Sequence, residues 1–248
     1  MAPIILNCDL GEDESLEQTE QLLALIDAAN IGCGFHAGSP EKTGASIELA
    51  LKHKLRIGAH PGLPHAGGRG HILPTAKEFQ HLLEQQFSSF QATAHALGTR
   101  AEYIKLHGSL YHAVETQPDL SAVYIHFLRQ QVQPVAIFAL AGGEFAQAAE
   151  AAGLSVVHEA FADRDYLPDG SLVPRVEQGA VLSQSEALER LASWQKNGKI
   201  PTRGGVPISL AADTLCVHGD SPDALELIRN IRTFLETHKI ECSRSRFS

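Results

Sequence analysis

The sequence predicts a single α/β domain built as a seven-stranded (β/α) barrel. Short apolar runs alternate with amphipathic stretches along the chain, seven such runs occur, and 248 residues suit one barrel-sized core. Strict alternation of strands and helices indicates parallel pairing with right-handed crossovers. Seven units in about 250 residues suit a closed or nearly closed barrel. An open doubly wound sheet is the competing interpretation, and it is disfavoured because no G-x-G-x-x-G follows a predicted strand.

The predicted strands are apolar runs of four to six residues, bounded by polar or glycine-containing segments. In chain order they are 4–8, 30–35, 56–59, 103–106, 135–140, 154–158 and 214–217. The segment 160–178 is a long connection that interrupts the alternation of predicted strands and helices. Such connections inside compact domains are usually functional.

Helices are predicted between the strands from their start signals. Capping boxes, in which Ser or Thr precedes Glu by three residues, occur at 75–78 and 183–186. Proline at the first helical position predicts three further starts, at Pro40, Pro118 and Pro222. Segment 16–28 has leucines at helical spacing.

Composition excludes several classes of protein. The formal net charge is −9, so the chain lacks the basic surface of a nucleic-acid or anionic-membrane binder. No apolar run approaches 18 residues, so no transmembrane helix is expected. The amino terminus lacks the features of a signal peptide, and four isolated cysteines predict a reduced, cytoplasmic protein. We expect one domain over 1–248, with 239–248 as a loose tail.

Histidine is the unusual residue, with 13 copies. Four of them, His36, His60, His107 and His218, stand where predicted strands end, each with a glycine within two residues beyond it. Asp9 ends the first strand in the same way. Since the working face of a β/α barrel lies at the carboxyl ends of its strands, we predict a functional cluster there.

Several chemistries suit this cluster. Asp9, His36 and His60 can form a two-histidine, one-carboxylate metal site. Lys105 and His107 lie two apart on one strand and therefore face the same side, where they suit acid–base work and oxyanion stabilisation.

The loops add cationic groups to this picture. Arg69, Arg164 and Arg175 lie in Gly-, Asp- or Pro-rich loops and suit a carboxylate or phosphate clamp. The sequence contains neither a G-x-x-x-x-G-K-[ST] phosphate loop nor a G-x-S-x-G elbow, so phosphate cradling of that type and serine hydrolysis are disfavoured.

Six segments together resemble one family, LamB/YcsF, in order and over nearly the whole chain. They are 7–12, 30–38, 57–62, 105–111, 161–175 and 212–220. Cys33 to Gly38 and Phe161 to Arg164 are the most specific matches. The sequence departs from the expected pattern in the short segment 13–16, at Leu106 and in 67–70.

The resemblance implies a seven-stranded barrel of the glycoside hydrolase/deacetylase type. It also implies the role of the A-type subunit of a bacterial 5-oxoprolinase, which opens 5-oxoproline to glutamate with ATP and two partner subunits, B and C. The expected catalytic residues are then Asp9, His36, His60, Lys105 and His107. The expected substrate-binding residues are Arg69, Asp163, Arg164 and His218.

As a mechanism we predict that Asp9 acts as the base, while His36 and His60 position water or a metal ion. Lys105 and His107 would stabilise negative charge or protonate the leaving nitrogen. ATP is expected on the partner subunits, and a divalent metal stays open. Two alternatives remain: a stand-alone metal-dependent amidase or deacetylase on this barrel, and a non-catalytic subunit that binds a small acid or sugar.

Overall fold

The barrel is closed and fully parallel. A computed structural model describes residues 3–64, 66–219 and 223–242. Seven strands hydrogen-bond in the order β1-β2-β3-β4-β5-β6-β9, which confirms the predicted fold, and β7 and β8 form a separate antiparallel pair. The strands are β1 (Ile5–Leu10), β2 (Ala28–Gly32), β3 (Arg56–His60), β4 (Tyr103–Ile104), β5 (Ala136–Leu140), β6 (Val156–Phe161), β7 (Lys199–Ile200), β8 (Ile208–Ser209) and β9 (Thr214–His218).

Three strand predictions are displaced, and one of them, the run predicted at 154–158, is observed at Val156–Phe161. The run predicted at 30–35 begins at Ala28 and ends at Gly32, because Gly34 has a φ of 77° and turns the chain out of the sheet. The strand predicted at 103–106 pairs regularly only over Tyr103–Ile104, although the Lys105 N–H still donates to the Ala59 carbonyl at 3.0 Å.

Eight helices are described outside the barrel, and most of the predicted start signals are observed. Thr75 and Ser183 close capping boxes, while Pro40 and Pro118 occupy first-turn positions. Pro222 lies outside the described residues. The helices are α1 (Leu16–Leu23), α2 (Pro40–Lys52), α3 (Ala76–Ala96), α4 (Gly108–Thr116), α5 (Pro118–Arg129), α6 (Glu144–Ala151), α7 (Gln184–Asn197) and α8 (Ala224–Thr237). The predicted helix 16–28 ends five residues early, at Leu23, where a turn with the Leu25 N–H donating to the Leu22 carbonyl at 3.0 Å leads toward β2.

The long connection after β6 is ordered. Bridges join Arg164 to Val181 and Tyr166 to Leu172, and the Phe161 N–H donates to the buried Tyr166 hydroxyl at 2.8 Å. This connection therefore forms a fixed wall beside the carboxyl end of β6.

The segment that follows α8 contacts the barrel. The Ile4 N–H donates to the Glu241 carbonyl at 2.9 Å, and Ile240 is buried. The loose tail predicted from residue 239 is therefore wrong for 239–242, while 243–248 lie outside the described residues. None of the described helices is both long and apolar enough to cross a membrane.

An apolar layer seals the amino-terminal end of the barrel. Its buried side chains are Ile5, Ala28, Tyr103, Ala136, Phe138 and Val157. The Tyr103 ring stacks on Phe138 with 4.0 Å between centroids, and its hydroxyl donates to Asn30 Oδ1 at 2.7 Å. Polar groups consequently begin immediately above this layer, toward the carboxyl ends of the strands.

Gly58 makes room for the Tyr103 ring, because a Cβ atom at position 58 would collide with that ring. We expect Gly58→Ala to lower the free energy of unfolding by about 1–3 kcal/mol through overpacking. Gly44, within α2, is the control: Gly44→Ala meets Thr93 only at 3.5 Å and should raise the free energy by about 0.5–1 kcal/mol. Urea unfolding of both variants measures the difference, and equal stabilities would contradict the packing assignment.

Candidate active site

The predicted residues collect at the carboxyl ends of the strands. His60 and His218 are the last residues of β3 and β9, and Asp9 is the last but one of β1. His107 follows β4 and directly precedes α4. His36, predicted at a strand end, instead lies four residues beyond β2, in the loop that Gly34 turns back toward the barrel.

Lys105 is the buried cation at the centre of the barrel. Its ammonium lies 2.8 Å from Asp9 Oδ1, 3.2 Å from Glu159 Oε1 and 3.0 Å from Cys216 Sγ. Asn30 Nδ2 also donates to Asp9 Oδ1, at 2.7 Å. Asp9 Oδ1 is thus occupied, while Asp9 Oδ2 faces His60 Nε2 at 3.5 Å.

The surroundings of Asp9, Glu159 and Lys105 shift the pKa values of these three groups. Burial alone would raise the pKa of Asp9, but His60 and Lys105 outweigh it and hold that pKa well below its usual range. Burial raises the pKa of Glu159, and Lys105 only partly opposes it. Burial would lower the pKa of Lys105, but Asp9, Cys216 and Glu159 raise it further. At neutral pH, Asp9 is therefore an anion beside a cationic Lys105.

Beside Lys105 and Asp9, the side chains of four residues bring their nitrogen and oxygen atoms close together. Glu12 Oε1 lies 2.9 Å from His36 Nε2, 3.1 Å from His107 Nδ1 and 3.7 Å from His60 Nε2. His107 Nδ1 lies 2.8 Å from His60 Nε2. We refer to Glu12, His36, His60 and His107 as the histidine cluster.

Backbone carbonyls orient two rings of the histidine cluster. His60 Nδ1 contacts the Lys105 carbonyl at 2.8 Å, and His107 Nε2 contacts the Gly67 carbonyl at 2.9 Å. Burial lowers the pKa of His60 to about 4 and also lowers that of His36. Burial would raise the pKa of Glu12, but the neighbouring His107 and His36 side chains lower it.

Glu12 is one of the site residues that the sequence analysis missed, together with Glu159 and Cys216 beside Lys105. Gly11, with a φ of 74°, turns the chain directly after β1, and Glu14 accepts the N–H groups of Gly11 at 2.6 Å and Glu12 at 3.0 Å. Lys42 Nζ donates to the Glu12 carbonyl at 2.7 Å and also to that of Glu14. The glycine between a strand-end aspartate and a glutamate is the one signal of Glu12 that the sequence carries.

The structure divides the predicted metal ligands Asp9, His36 and His60 between two groups of possible ligands. Glu12, His36, His60 and His107 have ligand atoms within 4.8 Å of one another, and so do Asp9, Cys216 and His218. Asp9 therefore belongs with β9 rather than with His36, because β1 pairs directly with β9 and brings Asp9 opposite His218.

Three of the four predicted substrate-binding residues, Asp163, Arg164 and His218, lie on the β6–β9 side, whereas Arg69 lies in the connection after β3. Asp163 accepts from the His218 N–H at 3.1 Å and contacts its Nδ1 at 3.0 Å. The Arg164 guanidinium is buried and donates to the Val173 and Ala180 carbonyls at 2.6 and 3.3 Å. Arg69 is exposed and packs its stem near Gly108.

Positive charge concentrates at this rim. Burial lowers the pKa of Arg164, Asp163 opposes that effect, and the nearby cations of Arg175 and Arg69 lower it further. The rim is therefore suited to an anion, although two of the nitrogens of Arg164 are already engaged with backbone carbonyls.

Removing the central cation is expected to be costly. Lys105→Met leaves Asp9 as an uncompensated buried anion, so we expect a loss of about 3–5 kcal/mol in the free energy of unfolding. Glu177→Gln is the control, because Glu177 is 51% exposed in its ion pair with Arg203 and should change stability by about 1 kcal/mol or less. Urea unfolding compares the two, and a cost for Lys105→Met no larger than the control's would contradict the assignment.

A second prediction concerns pH. Burial, then Arg164 and His218, lower the pKa of His112 to about 4. Below about pH 6.5 the His112 side chain takes up a proton in the unfolded chain but stays neutral in the folded protein. The free energy of unfolding therefore falls as the pH drops from about 6.5 to 4, and the contribution of His112 is fully present above that window. We expect His112→Gln to reduce this slope by about 1 kcal/mol per pH unit, measured by urea unfolding at pH 7, 6 and 5. An unchanged pH dependence of the free energy of unfolding in His112→Gln would contradict the assignment of that dependence to His112.

Known proteins resemble this chain in both sequence and fold. The A-type subunit of 5-oxoprolinase from Pyrococcus abyssi is 37% identical over 242 residues, 95% of each chain. The A-type subunit from Bordetella parapertussis is 36% identical over 247 residues, 97% of this chain and 98% of its own. The crystal structure of a lactam utilization protein from Thermus thermophilus has a TM-score of 0.88 and 30% identity, over 98% of this chain and 100% of its own.

More distant structures extend the fold comparison. A family 4 carbohydrate esterase from Streptomyces lividans has a TM-score of 0.52 at 11% identity, over 98% of this chain and 91% of its own, and shares the fold alone. The family model described as LamB/YcsF matches residues 4–247, which include every strand of the barrel and every member of the site. Because that match spans the chain and relatives above 30% identity cover nearly all of it, the chain belongs to the LamB/YcsF family.

Proposed function

We propose that this protein is the barrel subunit of an ATP-dependent 5-oxoprolinase, which opens the lactam ring of 5-oxoproline to give glutamate. The observation that carries the proposal is an ionised Asp9 beside a cationic Lys105, in a barrel whose relatives bear the name of the A-type subunit of 5-oxoprolinase. The lactam utilization protein of matching fold supports the same class of substrate.

The chemistry requires activation of the lactam. A five-membered lactam resists water because its amide is resonance-stabilised and its ring is barely strained. Phosphorylation of the lactam oxygen by ATP, with release of ADP, would make the ring carbon electrophilic. Water would then add to that carbon, and the ring C–N bond would break as the nitrogen takes up a proton, which leaves an acyl phosphate. A second water would release its phosphoryl group as inorganic phosphate and give glutamate. Since the sequence has no G-x-x-x-x-G-K-[ST] loop, we assign the nucleotide to partner subunits B and C.

Asp9 and Lys105 have complementary roles in this proposal. Asp9 Oδ2, which does not share the contacts of Oδ1, accepts a proton from the attacking water. Its lowered pKa makes Asp9 a weak base, and a weak base suffices when the attacked carbon is already activated. Lys105 holds a positive charge that would stabilise the negative charge developing on the attacking water oxygen as it loses its proton.

The cationic rim would hold the anionic end of the substrate. His218, fixed by Asp163, lies on the same side as Arg164, and Arg69 is near enough to lower the pKa of Arg164. We assign the substrate carboxylate to this side, because guanidinium groups recognise carboxylates through charge-assisted hydrogen bonds.

The deciding experiment is a reconstitution with partner subunits B and C. We expect 5-oxoproline-dependent formation of glutamate and hydrolysis of ATP with this chain present, and no glutamate without it. Asp9→Asn, checked for folding by circular dichroism, should lower the rate of glutamate formation by about 100-fold or more. His81→Gln on the exposed face of α3 is the matched control and should keep the rate.

The result that would overturn the proposal is glutamate formation at the same rate with Asp9→Asn, or none in the complete mixture. The histidine cluster favours one second candidate, a metal-dependent amidase that acts alone. That candidate predicts hydrolysis of small amides by this chain without ATP and without B and C.

A further inference from the structure

Two imidazole lone pairs face each other inside the histidine cluster. A carbonyl oxygen only accepts, so His60 Nδ1 must donate to the Lys105 carbonyl and His107 Nε2 must donate to the Gly67 carbonyl. In the neutral rings this leaves His60 Nε2 and His107 Nδ1 without a proton, yet these two atoms lie 2.8 Å apart. The arrangement therefore requires a positive charge between them.

The spacing of the four donor atoms fits a tetrahedral metal ion. Bonds of about 2.0–2.1 Å to zinc place neighbouring donors about 3.3 Å apart. In the histidine cluster the distances between neighbouring donor atoms are 2.8, 2.9, 3.1 and 3.7 Å, which lie on both sides of the distance expected around zinc. A proton can satisfy one of these contacts, whereas a divalent cation can satisfy all four.

The surroundings also match a metal site. Each of the two oriented rings has its distal nitrogen fixed by a backbone carbonyl, which is how histidine ligands are commonly held in place. The side chains of His36, His60 and His107 are 0–3% exposed, and Glu12 is 14% exposed. Glu12 is consequently the member that faces the entry path for an ion.

The second candidate set is unsuited to a cation. Asp9 and Cys216 already contact the Lys105 ammonium, at 2.8 and 3.0 Å. A divalent ion placed between Asp9, Cys216 and His218 would meet that charge at close range. In the histidine cluster the four donor atoms converge on one another instead, and the nearby Lys42 ammonium is directed at the Glu12 and Glu14 carbonyls.

We propose that Glu12, His36, His60 and His107 bind one divalent transition-metal ion of the zinc class, with three nitrogen ligands and one carboxylate oxygen. Imidazole and carboxylate in tetrahedral geometry select zinc or cobalt over magnesium and calcium, which prefer oxygen ligands in larger number. This site includes Glu12 and His107, and it does not include Asp9. The proposal does not rest on the proposed function, because the ion can be measured without substrate, ATP or partners.

The test uses the untagged full chain, stripped of metal by a chelator and titrated with Co²⁺ and Zn²⁺. We expect one equivalent of either ion, intense visible d–d bands for tetrahedral cobalt, and displacement of cobalt by zinc. A near-ultraviolet thiolate-to-cobalt band should be missing from the spectrum. Its presence would instead assign the ion to Cys216 and overturn the proposal, as would octahedral bands or binding well below one equivalent.

Variants assign the ligands. Glu12→Gln and His107→Gln should weaken zinc binding by about 100-fold or more, since losing a group that merely orients a ligand already costs about 10–100-fold. Cys216→Ser and His81→Gln are the matched controls and should bind zinc as the unmodified chain does. Unfolding curves of the metal-free variants check their folding. Undiminished binding by a folded His107→Gln variant would overturn the proposal, and the zinc measurement alone decides it, whatever the variants do to glutamate formation.

Discussion

The site depends on one buried cation. Lys105 holds Asp9 and Glu159 together inside a barrel whose amino-terminal end is sealed by apolar side chains. Two carboxylates and one ammonium in a poorly hydrated interior cannot all keep their ordinary protonation states. The result is an ionised Asp9, a Glu159 with a raised pKa and a cationic Lys105, so the pKa values of the two carboxylates are shifted in opposite directions.

Closure of the barrel makes this arrangement possible. Asp9 and Cys216 are far apart in sequence, yet β1 pairs with β9 and places their side chains around the same ammonium. One layer below Asp9, Asn7 Nδ2 donates to Glu159 Oε1 at 3.0 Å and to Thr214 at 2.7 Å. These two hydrogen bonds join β1 to β6 and to β9. Strain in that pairing would therefore reach the charge centre directly, because a close-packed interior has little free volume to absorb it.

The sequence could predict what regular structure determines. His60 and His218 end strands whose apolar runs are visible in the chain, so their placement on one face follows from parallel pairing. The apolar run that continues past Gly32 predicts a strand end at His36, and only the left-handed conformation of Gly34 shows that the strand stops earlier. Glu12 could not be told from the neighbouring acids by composition. Its inward position depends on Gly11 and on contacts from Glu14 and Lys42, which only the folded chain provides.

His60 connects the charge centre with the histidine cluster. Its Nε2 lies 3.5 Å from Asp9 Oδ2 and 2.8 Å from His107 Nδ1. A weak base beside such a cluster makes chemical sense in either of two ways. An activated lactam would demand less of the base because its carbon is electrophilic, and a divalent cation held by the histidine cluster would also demand less of it by lowering the pKa of nearby water. In the proposed reaction the low pKa of Asp9 would then be no obstacle, since it keeps Asp9 anionic beside Lys105 and able to accept a proton.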